Sequence, residues 1–149
     1  MELNTNPGFL LHKIGALLER TSDGVLMQEF GLGYSQFKLL FALGHHPSLQ
    51  QKEIAHYLGQ TEASISRQIK LLKSTGLIEI VILPDNRKIH HIALTDKGSR
   101  LTTRALETLN QYYVPIFSGL TTADQQRLTS SLASINSVLE MLCTETGRR

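Results

Sequence analysis

Between Gln50 and Gly76 the chain compresses two helical patterns around a very short connection, and nothing else in the sequence limits the fold as much. Ile54, Ala55 and Leu58 share one side of a helix expected over about Gln50–Leu58. Gly59 suits the left-handed position that ends it. Thr61 is then a good N-cap, its hydroxyl accepting from the first turn of a helix that runs to about Thr75, with Gly76 as its stop. Two short helices across a turn of about three or four residues form a helix-turn-helix pattern.

The flanks extend this unit in both directions. From Pro7 to about Phe30, Leu10, Leu11, Ile14, Leu17, Leu18, Val25 and Leu26 predict a long amphipathic helix broken by Gly31 and Gly33. Ser35 opens a second pattern with Phe37, Leu39, Leu40, Phe41 and Leu43, predicted to end at Gly44, with His45-His46-Pro47 as a loop. Gln50 replaces the more usual serine or threonine cap before the next helix, so Ser48 is an alternative start. After Gly76 the period becomes extended: Leu77–Leu83 and Ile89–Leu94 bracket Pro84-Asp85-Asn86-Arg87, a hairpin that projects as a wing. Thr95 opens a long helix, bent or ended near Pro115, and a last helix starts near Thr121.

The helix that follows Thr61 has two unlike faces. Ile65, Ile69 and Leu72 anchor it in a core, while Ala63, Arg67, Lys70 and Ser74 occupy the opposite face, flanked by Ser64 and Ser66. Small, hydroxylic and cationic side chains suit a helix lying in the major groove, where arginine contacts guanine through two hydrogen bonds. Arg67 is the expected base reader. One such face alone is more often simply solvated. Here it follows a short helix and a tight turn and precedes a hairpin with Arg87 and Lys88 near its tip, so several donors converge on one duplex. Gln51, Lys52 and Lys73 are expected on phosphates, Arg87 on phosphate or in the minor groove. Overall charge is only +2, but residues 50–100 carry eight basic against five acidic side chains, a net of +3, and the remainder carries −1.

In their order, Gln51-Lys52-Glu53-Ile54-Ala55, Thr61-Glu62-Ala63-Ser64-Ile65-Ser66-Arg67, Leu72-Lys73-Ser74-Thr75-Gly76-Leu77-Ile78, Asp85-Asn86-Arg87 and Leu94-Thr95-Asp96-Lys97-Gly98 make the chain resemble MarR-family regulators over nearly its whole length. The resemblance implies a mainly α fold with a small β-hairpin wing (α+β), a recognition helix beginning near Thr61, and terminal helices that interlock two copies. It gives one domain over 1–149, with dimerisation helices at 1–30 and 100–149 and a winged helix-turn-helix lobe at 34–99. From the residues alone, the apolar excess of the first and last helices is covered either by a second copy or by an intramolecular bundle. The wing strand Ile80-Val81-Ile82-Leu83 departs from the basic or polar strand of related wings.

The expected function is sequence-specific binding of double-stranded DNA at a pseudo-palindromic operator by a homodimer, as a repressor released by a small-molecule effector. The alternative is a winged-helix protein-interaction module, favoured by the apolar wing strand and modest net charge. The resemblance places an effector pocket at the junction of dimerisation helices and DNA-binding lobe; Phe9, His12, Phe37 and Tyr112 are its candidate lining, though aromatic residues on amphipathic helices are more often plain core. No cofactor is expected. The six histidines show no metal-ligand spacing, and Cys143, the single cysteine, has only carboxylates as near charged neighbours in sequence. No phosphate-cradling glycine loop or nucleophile elbow argues for an enzyme. No apolar run reaches the roughly 20 residues of a membrane span, and the expected location is the cytoplasm.

Overall fold

The computed structural model describes residues 6–47, 49–82 and 90–146. Its elements run α1 (Pro7–Phe30), α2 (Tyr34–His45), α3 (Gln51–Leu58), α4 (Glu62–Ser74), β1 (Ile78–Ile82), β2 (His90–Leu94), α5 (Asp96–Phe117) and α6 (Thr122–Thr146). Six helices and one two-stranded antiparallel hairpin therefore make up the described chain, the mainly α winged-helix fold that the sequence predicts. No helix among the described residues is long and apolar enough to cross a membrane.

Local chemistry explains most boundaries. Asn6 caps α1, its Oδ1 accepting from the Phe9 amide at 3.1 Å, and Pro7 occupies the first turn, where no amide partner is needed. Thr121 does the same for α6, accepting from the Asp124 amide while donating to that carboxylate. One helix end differs from expectation. The second helix does not stop at Gly44 but runs to His45, whose Nδ1 lies 2.9 Å from the Phe41 carbonyl and whose ring sits 4.2 Å from that of Phe41. The fifth helix ends at Phe117, two residues past Pro115, as the sequence predicts. Gln50 is the residue before α3, and Ser48 lies outside the described residues; Glu53 accepts from the Gln50 amide at 2.7 Å, so the carboxylate serves the helix start from the third position.

The chain falls into two compact units, one ending at Leu109 and the other beginning at Asn110. In the first, Leu26 of α1, Leu39, Leu40 and Leu43 of α2, Ile54 of α3, Ile65 and Leu72 of α4 and Ile78 of β1 are fully buried, joined by Ile92, Ala105 and Leu109. The α1–α2 corner is also tied by polar bonds, from the Tyr34 amide to Asp23 Oδ1 at 2.8 Å and from Lys38 Nζ to Glu19 at 3.1 Å. β1 pairs with β2 in the register Ile78 to Leu94 and Ile82 to His90. Leu49 adds one bridge to Ile92, so the base of the wing is fastened in front of α3. In the second unit, Leu128, Leu132, Ile135, Val138, Leu139 and Leu142 of α6 all remain exposed.

The segment Leu94-Thr95-Asp96-Lys97-Gly98 clasps the end of α4. Thr95 donates its hydroxyl to the Gly76 carbonyl at 2.7 Å and accepts from the Gly98 amide at 3.0 Å, capping α5 with the same side chain. Lys97 Nζ reaches the Thr75 carbonyl at 2.7 Å, a cation placed at the negative end of α4. Gly98 is buried because the Leu77 backbone crosses it; a Cβ there would collide with the Leu77 carbonyl oxygen. Gly98→Ala is therefore expected to destabilise the protein by about 1–3 kcal/mol, as overpacking against backbone does, read as a lower midpoint in urea. An unchanged midpoint would show that the α4–α5 contact yields easily.

Candidate nucleic-acid interface

The helix-turn-helix is built by a three-residue hinge. Gly59, at φ 61° and ψ 33°, donates to the His56 carbonyl while the Gln60 amide reaches back to Ala55 at 3.0 Å, closing α3. Thr61 returns the chain to extended geometry and caps α4, accepting from the Ser64 amide at 3.2 Å. Ile65, Ile69 and Leu72 then face the core. That fixes Ala63, Arg67, Lys70 and Ser74 on the exposed side, as helical spacing requires.

The expected contact residues do not all have free side chains. Arg67, Lys70, Lys73 and Lys52 are exposed, and among the described residues no carboxylate lies within 4.0 Å of their nitrogens. Ala63 is exposed and Ser66 half-buried. Thr61 is exposed, with its oxygen engaged in the cap. Gln51 donates to the Glu62 carbonyl at 3.3 Å, bracing α3 against the start of α4. Ser64 turns inward, donating to Gln60 Oε1 at 3.2 Å. The structure thus brings Ala63, Ser66, Arg67 and Lys70 onto one outward surface, with Lys52 exposed on α3 and Lys73 on the flank of α4. Arg87 and Lys88 lie outside the described residues.

The four candidate effector residues are not gathered by the first unit. Phe37 is buried in a column of rings along α2, 6.1 Å from Tyr34 and 5.8 Å from Phe41, while Phe9 and His12 are exposed on α1. Tyr112 belongs to the second unit, in an edge contact with Tyr113. A cavity of about 190 Å³ does open beside α2, lined by Phe41, Gly44, His45, Leu94, Thr102 and Leu106 among others, and none of the four lines it. Sequence reasoning missed it because its wall joins the end of α2 to the start of α5.

Other proteins share this arrangement. A family model described as "MarR family" matches residues 30–89. The helix-turn-helix-type transcriptional regulator YdcH of Bacillus subtilis (strain 168) is 30% identical over 107 residues, covering 69% of this chain and 72% of that protein. CouR from Rhodococcus jostii RHA1, in a crystal structure with p-coumaroyl-CoA, superposes with a TM-score of 0.77 at 23% identity, covering 91% of this chain and 94% of that one. A structure of the transcriptional repressor CouR bound to a 23-mer DNA duplex gives a TM-score of 0.78 at 26% identity, with 91% and 95% covered.

Proposed function

The chain belongs to the MarR family of transcriptional regulators, and on that premise we propose that it acts as a homodimeric repressor on a pseudo-palindromic operator and is released from it by a small-molecule effector. The observation that carries the reading is the outward face of α4, where Arg67 and Lys70 stand exposed and unpaired among the described residues beside Ala63 and Ser66. Small side chains admit the helix to the major groove; Arg67 reads a base edge; Lys52, Lys73 and Lys70 hold phosphates; Arg87, on phosphate or in the minor groove, and Lys88 add contacts that the sequence alone suggests, since both lie outside the described residues. In this reading residues 34–99 form the DNA-binding lobe within a single domain of 1–149, and 1–30 and 100–149 supply the dimer contacts. The protein works in the cytoplasm and performs no catalysis.

Dimerisation is supported by the apolar side chains of α6, which single-chain packing leaves in water. A twofold pair carries two recognition helices to successive major grooves on one face of the duplex. Effector control is supported by CouR, which is known both on DNA and with p-coumaroyl-CoA. The exposed Ile80 and Ile82 of β1 favour, as a second reading, a wing that docks on protein.

Selection of bound duplexes from genomic DNA by the purified full chain tests the proposal. One inverted-repeat motif should be enriched, with half-sites about 10 bp apart or a multiple of that. Its affinity should fall steeply and log-linearly with salt, and a phenolic acid or its thioester should release it. Binding no better than to random DNA at every salt concentration would replace this function by the protein-docking one.

A further inference from the structure

The hydrogen bonds behind α4 form one connected set centred on Gln60. Its Nε2 donates to Ser35 Oγ, on the first turn of α2, at 3.2 Å. Its Oε1 accepts from Ser64 Oγ at 3.2 Å and from Gln68 Nε2 at 2.8 Å, both on α4. Gln68 Nε2 also approaches Ser64 Oγ at 3.4 Å. All four residues are half-buried, so these bonds are sheltered from competing water. Gln68 keeps this orientation although its own Oε1 is buried without a partner, an arrangement with a standing cost.

Apolar packing sets which face of a helix is buried, but fixes its roll only coarsely. Ile65, Ile69 and Leu72 press α4 onto the core, but that attraction is non-directional. Hydrogen bonds depend steeply on distance and angle. At a side-chain radius of about 5–6 Å, a roll of 20° moves a side-chain tip by roughly 2 Å, enough to separate an arginine from a base edge. Lys97 of α5 holds α4 only at its last carbonyls, whereas Gln60 ties the first half of α4, through directional side-chain bonds, to α2.

We propose that Gln60 is a positioning residue for sequence reading: it locks the roll of α4 against α2 and so aims Arg67, without touching DNA itself. This rests on the DNA-reading function proposed above. Glutamate at this position keeps the set, because a carboxylate accepts from Ser64 and Gln68, and the Ser35 hydroxyl can turn to donate to it. Leucine preserves bulk and loses every bond.

The experiment measures affinity for the selected operator and for a random duplex of equal length, using the full chain and its Q60L, Q60E and S35A variants, with thermal melting alongside. The ratio of the two affinities should fall about tenfold in Q60L and about threefold in S35A, with random-duplex affinity of both near the parent's. Q60E should lower both affinities together through its charge and hold the ratio within about threefold. A role in bulk packing alone predicts the reverse order, with Q60L the milder variant, and that order overturns the proposal. If Q60L does not fold, the remaining pair decides: an S35A ratio equal to the parent's, or a Q60E ratio reduced tenfold, overturns it. A parent chain that selects no sequence overturns the DNA-reading function as well, whereas a selective parent with three unchanged ratios overturns only the role of Gln60.

Discussion

Arg67→Ala is expected to weaken binding to the selected operator by about tenfold to a hundredfold, the value of one two-bond arginine–guanine contact. The guanidinium is exposed on α4 and makes no ion pair among the described residues, so its removal should leave the fold and its melting temperature nearly unchanged. Affinity for a random duplex should change far less, and discrimination should be lost at one base pair in each half-site. Fluorescence anisotropy on a panel of single-substitution operators separates these outcomes. An equal loss on random DNA would make Arg67 a phosphate contact, and no loss on either would remove it from the interface.

The second large effect concerns α6. Leu128, Leu132, Ile135, Leu139 and Leu142 alternate spacings of four and three residues, the 3.5-residue repeat that lets one helix seam pack along another. Leu132 is 40% and Leu139 54% exposed in the single chain, so each has about half of its transfer gain still to collect in a dimer. The double variant L132E/L139E removes that gain twice and places two carboxylates in the seam of each copy. Dissociation should rise by more than a hundredfold, seen as monomer in analytical ultracentrifugation at micromolar concentration. Operator binding should collapse with it, since a monomer reads one half-site. A variant that stays dimeric would move the interface off this face.

Much of the fold was legible because its signals are local. Gly31, Gly59, Thr61 and Thr121 each cap or stop a helix through bonds to residues a few positions away, and the faces of α4 follow from Ile65, Ile69 and Leu72. Gly44 misled because its meaning is tertiary: it packs beside Leu94, where the helix can continue. Ser64 and Gln51 read as DNA-facing from their place in the motif, yet each makes a bond within the helix-turn-helix. Periodicity reports which side of a helix is outermost, but not where a flanking side chain finds a partner.

From the sequence alone came the helix-turn-helix, its wing, the anchored and outward sides of the recognition helix, and the family resemblance. These depend on spacing, on backbone preferences at glycine and on caps within one turn, all of which act between near neighbours. Only the tertiary structure decided how that helix is held: Lys97 on the Thr75 carbonyl and Gln60 between Ser35 and Gln68. Those bonds join residues 8 to 25 positions apart, or 22 for the lysine. No local pattern marks a glutamine as bonded rather than solvated, because that depends on which distant backbone or side chain the fold brings within hydrogen-bonding distance of it.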